Sequence, residues 1–173
     1  MRDFGDNAGA ETNGNQQPFR DEGCDLYSQA LSRHMTETLL LPPDAVDWLM
    51  GLWDCIQLFD DVADDDAIKR KDLDRVIWNA LVAMPANPFF DAKKGALLPV
   101  VTTMILKWQA SDSVERDGRA DAKSYVWRAG YYDLVLLSVQ LCHGVKVATS
   151  MAPTVMQLYG ETFEDYMKEF ANA

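Results

Sequence analysis

PDAVDWLMGLWDCIQLFDDVADDD, residues 43–66, spells one long helix that begins apolar and ends among carboxylates. Pro43 suits a first helical turn, where the missing amide hydrogen costs nothing. At about 100° per residue, Asp47, Asp54, Asp61 and Asp65 fall in a strip about 40° wide, together with Gly51. That strip reads as a wet face. The opposite arc carries Trp48, Leu49, Leu52, Trp53, Ile56, Phe59 and Ala63 and should meet a core. Two carboxylates sit on the wrong side. Asp60 lies between the directions of Ile56 and Trp53, and Asp64 lies one turn further on. A carboxylate on an apolar arc needs a cation, a set of donors or water, because desolvating its charge costs several kcal/mol.

The remaining pattern is helical throughout and predicts an all-α, single-domain bundle of about six helices. Residues 1–22 are rich in Gly, Asn, Gln and acid, carry no apolar period, and read as a flexible polar arm before a bundle domain at 23–173. Phe4 and Phe19 are the arm's candidate contacts for a partner. A first helix is expected over 25–41, ended by Pro42 and Pro43. A third covers about 72–84, with Leu73, Val76, Ile77, Ala80 and Leu81 on one side and Trp78 adding bulk. A fourth spans 89–113, interrupted or delayed at Gly95 and Pro99. A fifth, 121–143, is apolar nearly all round from Tyr125 to Cys142 and reads as the central helix. In it Asp133 projects between apolar neighbours, Gly130 allows a close helix approach, and His143 suits a helix C-terminus. A sixth runs from about 149 or 153 to 170.

Composition narrows the function classes. The net charge is −11 over 173 residues. That argues against nucleic acid or an anionic membrane as main partner and suits a basic protein partner or the chain's own oligomer. No run approaches eighteen apolar residues and no basic-then-apolar leader opens the chain, so a cytoplasmic protein, or one within an intracellularly assembled particle, is expected. Cys24, Cys55 and Cys142 have no metal-type spacing. Phosphate-binding loops, dinucleotide fingerprints, HExxH and the G-x-S-x-G elbow are all missing.

What chemistry remains is carboxylate chemistry with a hard cation. Asp60-Asp61-Val62-Ala63-Asp64 resembles the first aspartate-rich motif, DDxxD, of class I isoprenoid synthases. In that family such carboxylates hold magnesium against a diphosphate. The resemblance covers five residues and no second aspartate-rich or NSE-type motif accompanies it, so it implies a magnesium site and not prenyl transfer. Glu161-x-x-Glu164 resembles half of the ExxE signature of all-α nucleotide pyrophosphatases. Its second acidic pair is missing, and a solvated face is expected there.

Two functions follow as expectations. The first is a non-catalytic interaction or assembly protein, such as a subunit of a larger particle. The second is a magnesium-dependent enzyme acting on a diphosphate or nucleotide, with Asp60, Asp64 and Asp133 as metal ligands and Lys69 and Arg70 gripping phosphate. The same carboxylates become structural if Arg128 or Arg75 supplies the positive charge instead.

Overall fold

The computed structural model describes the backbone of residues 20–170 and the side chains of residues 26–170. Phe4, Phe19 and all but the last three residues of the expected arm lie outside that range. The described residues are all-α: α1 (Arg20–Glu37), α2 (Pro43–Ala63), α3 (Arg70–Trp78), α4 (Pro88–Arg116), α5 (Ala122–Arg128), α6 (Tyr131–His143), α7 (Val145–Met156) and α8 (Phe163–Phe170). A π-helical segment, Asn79–Ala83, continues α3 without a break. The eight helices correct the expected six.

Local chemistry sets the helix ends. α2 starts on Pro43 and ends in a Schellman motif. The Asp66 amide donates to Asp61 O at 2.9 Å, the Asp65 amide to Val62 O at 3.4 Å, and Asp65 itself adopts φ 58°. Aspartate tolerates this left-handed geometry better than most residues. α4 opens on Pro88, with the Asn87 side chain accepting from the Phe90 amide at 3.0 Å. α5 opens on a capping box: Asp121 Oδ1 accepts from the Ser124 amide at 3.1 Å, and Ser124 Oγ accepts from the Asp121 amide at 2.9 Å.

Three expected boundaries moved. α4 runs straight through Gly95 and Pro99. A mid-helix proline costs about 3 kcal/mol, but Leu97 and Met104 on either side of it are buried, so both halves are held in the core. The expected fifth helix divides at Ala129 and Gly130 into α5 and α6. A Cβ at Gly130 would lie 3.0 Å from Met104 Cγ and 3.3 Å from Met104 Cα, so the chain turns at a close approach to α4. The expected sixth helix divides into α7 and α8 across 157–162. Tyr27 donates to Leu158 O there, Tyr125 donates to Glu161 O, and a Cβ at Gly160 would meet the Tyr27 ring at 3.1 Å.

The core gathers Leu31 and Met35 of α1, Leu39 of the turn that follows it, Trp48 and Leu49 of α2, Leu97 of α4, and Leu134, Val135 and Val139 of α6. α6 packs most broadly on α7, and α4 on α5. The inward side of α6 is apolar apart from three hydroxyls, each of them partnered: Ser138 donates to Leu134 O at 2.8 Å, Tyr131 donates to Leu49 O at 2.9 Å, and Tyr132 lies 2.9 Å from the Tyr27 hydroxyl. The all-round apolar reading fails at Val126 and Trp127 of α5, which are exposed. A second, smaller cluster joins Cys55 and Leu58 of α2 to Val76 of α3. α3 therefore folds back over the strip of α2 expected to be wet. α3 brings Arg75 Nε to 3.3 Å from Asp54 Oδ2, and Met84, just past the π-helical segment, covers Gly51, where a Cβ would meet Met84 Cγ at 3.2 Å.

Leu40, in the α1–α2 turn, is exposed and adopts φ 51°. Replacing it with glycine should raise stability by about 0.5–1 kcal/mol. That is the left-handed penalty of a branched residue, roughly 1–2 kcal/mol, less the entropy cost of glycine. A urea-unfolding midpoint that moves down would contradict this.

Candidate functional site

Where α2, α4 and α5 meet, Arg128 enters from the last turn of α5, with its side chain only 20% exposed. Its Nη2 donates to Asp60 Oδ1 at 3.0 Å and its Nη1 to Glu115 Oε2 at 3.1 Å. Trp108 Nε1 of α4 adds a donor to the same Asp60 oxygen at 3.3 Å. Glu115 is buried, and its other oxygen accepts from the Tyr166 hydroxyl of α8 at 2.6 Å. Tyr166 in turn lies 2.5 Å from Ser124 Oγ. One arginine thus serves two carboxylates, and four helices are tied through one polar chain in the interior. Such a chain stabilises only when every member is satisfied.

The charges respond to this setting. Burial pushes the Glu115 carboxyl above the usual glutamate range, against the lowering effects of the Tyr166 hydrogen bond and the Arg128 charge. Burial also works against the Arg128 charge, but Asp60 and Glu115 outweigh it and hold the guanidinium above its ordinary value. A carboxyl raised in the folded state binds its proton more tightly there than in the unfolded chain. Its contribution is therefore full below the unfolded value of 4.5 and is lost as pH rises through the folded one. The stability of Glu115→Gln relative to the native chain should accordingly improve between about pH 4 and pH 7. Parallel pH profiles for the two proteins would contradict this.

A cavity of about 500 Å³ opens beside the network, lined among others by Asp60, Asp64, Trp108, Arg116, Arg128 and Phe170. Asp60 and Asp64 therefore reach one place. Asp133 does not: it projects from α6, 59% exposed, and accepts from Lys107 Nζ at 2.8 Å. The break at Ala129 and Gly130 separates Asp133 from Arg128, and the expected meeting of three aspartates is not made. Lys69 and Arg70 stand at the start of α3, outside the cavity lining, and Arg70 pairs with Asp74 at 3.0 Å. Among the described residues, no group of three or more His, Cys, Asp or Glu side chains is placed to hold a metal ion. Of the two arginines weighed from the sequence, Arg128 meets Asp60, while Arg75 pairs with Asp54 and Asp72. Glu115 and Tyr166 carried no signal of their own in the sequence, since a glutamate near a helix end and a tyrosine on an amphipathic helix are both commonplace.

The other notable surface is apolar. Of the third-helix residues expected to face the core, Val76 is buried, but Ile77 is 46% exposed and Leu81 73%. Trp78 at 65% and Val82 at 42% stand beside them. These four share one side across α3 and the π-helical segment. The apolar stripe is wider than the single helix beneath it can cover, and its seven apolar positions in ten, residues 73–82, with a tryptophan among them, were the visible sign of that excess. Where α2 ends, Phe59 and Val62 are exposed as well. No helix among the described residues is long and apolar enough to cross a membrane.

Comparison with protein families, with curated proteins and with solved structures finds no match to this chain.

Proposed function

We propose that the protein is a non-catalytic helical interaction protein that works as a subunit of an assembly. The exposed apolar side of α3 and its π-helical continuation carries this reading. A tryptophan and three aliphatic side chains held in water on one helical side cost free energy that a monomer gains nothing from, and such patches mark contact surfaces. π-helical turns likewise concentrate at working sites rather than in plain scaffold. The Arg128 network supports the same reading from the other direction, because its carboxylates are engaged by donors within the fold.

The test is recovery of a bound protein from the cells that make this chain. Partner recovered with the native chain and with Leu106→Glu on α4, but lost with Leu81→Glu, is the expected outcome. Equal recovery with all three would overturn the proposal. A second reading, the magnesium-dependent enzyme, keeps one observation in its favour: Asp60 and Asp64 line one cavity with Arg116. It requires heat on titrating magnesium or manganese in the presence of pyrophosphate, abolished in Asp60→Asn. A flat titration removes it.

A further inference from the structure

Resting on the assembly reading, we infer that the apolar side of α3 and the adjoining end of α2 is seated against the same surface of a second copy of this chain, in a two-fold symmetric dimer. Two observations favour a second copy over an unrelated partner.

The first is area. Phe59, Val62, Ile77, Trp78, Leu81 and Val82 are each between 42% and 73% exposed. At roughly 100 Å² of exposed side chain apiece, the surface offers about 600 Å² per copy. Two copies together would bury about 1,200 Å², the lower bound for a specific complex. The surface is thus self-sufficient for a modest dimer built from two copies of one helical hairpin, which is the four-helix arrangement such hairpins commonly reach.

The second is charge. The chain as a whole carries −11, so two copies repel on most approaches. The tip of the α2–α3 hairpin is the exception. Over residues 64–71 the three aspartates Asp64, Asp65 and Asp66 are matched by the three cations Lys69, Arg70 and Lys71, of which Arg70 also pairs with Asp74 of its own helix. A two-fold axis running along the hairpin sets tip beside tip. The aspartates of each copy then face the cations of the other, reciprocally, as an isologous contact requires. A basic partner protein would be drawn instead to the strongly acidic remainder of the surface.

Sedimentation equilibrium of the purified full chain tests this. A reversible dimer is expected, whose dissociation constant rises at least tenfold in Leu81→Glu and in Lys71→Glu. Leu106→Glu, an exposed residue on α4, should leave it unchanged. Leu81 is 73% exposed, so its substitution leaves the fold intact, and an unaltered thermal midpoint verifies that. Replacing Asp65 with lysine in the Lys71→Glu background should restore the dimer if the tips pair. A native chain that sediments as a monomer overturns the inference, as does a dimer indifferent to Leu81→Glu. Neither result touches the assembly reading, which fails only if Leu81→Glu also leaves every bound partner in place.

Discussion

Replacing Arg128 with methionine is expected to destabilise the protein by roughly 3–5 kcal/mol, the usual loss when one member of a buried ion pair is removed. The guanidinium is only 20% exposed and holds two carboxylates, of which Glu115 is 6% exposed and Asp60 34%. Without it, Glu115 keeps the Tyr166 hydroxyl but loses its counter-charge in a site that already disfavours ionisation. Asp60 suffers less, because it keeps Trp108 and some water. Most of the loss therefore belongs to Glu115, and the double variant Arg128→Met, Glu115→Gln should recover most of it. Removing both charges of a buried pair is far cheaper than removing one. Urea unfolding of the two variants measures both numbers. A loss below about 1 kcal/mol for Arg128→Met would place the pair in the class of exposed ion pairs, whatever its geometry.

The second large effect belongs to Trp48. It is 2% exposed, stacks on Phe90 with centroids 5.4 Å apart, and lies tilted against Phe89 at 6.4 Å. Trp48→Ala should cost roughly 3–5 kcal/mol, because the cavity left by an indole wedged between α2 and α4 cannot close without moving a helix. In a chain of this size that corresponds to a fall of roughly 6–20 °C in the thermal midpoint. Trp48→Phe should cost much less than its lost volume suggests. The indole Nε1 is buried without a hydrogen-bond acceptor among the described residues, and removing it relieves a desolvation cost of about 1–3 kcal/mol. If the phenylalanine variant is as unstable as the alanine one, shape rather than polarity governs the site.

Much of α2 was legible in its residues. Trp48, Leu49 and Leu52 are buried and Asp47 and Asp61 are exposed, as 3.6-residue periodicity requires. Asp60 stood out as a carboxylate on the wrong side, and it does have a partner, the half-buried Arg128. Periodicity failed where a second helix covers the first. Gly51 and Asp54 looked wet because nothing in α2 announces that α3 and the residues just after it fold back over them. The third helix erred the other way: Ile77 and Leu81 looked like core because their spacing matches Val76 and Ala80, yet α2 is too narrow to cover them.

Local sequence by itself determined the all-α class, the start of α2 at Pro43, the anomaly at Asp60 and the acidic balance, since each depends on neighbours within a turn or two. Tertiary structure alone decided which cation meets Asp60. Arg128 lies 68 residues away from Asp60 and 13 from Glu115. Its direction on its own helix is readable, but the break at Ala129 and Gly130 and the close approach to Met104 set where that direction ends. It also decided that Asp133 leaves the group and that Trp78 and Leu81 remain in water. Burial and charge pairing are properties of surfaces brought together, and a one-dimensional pattern records only which side of a helix a residue is on.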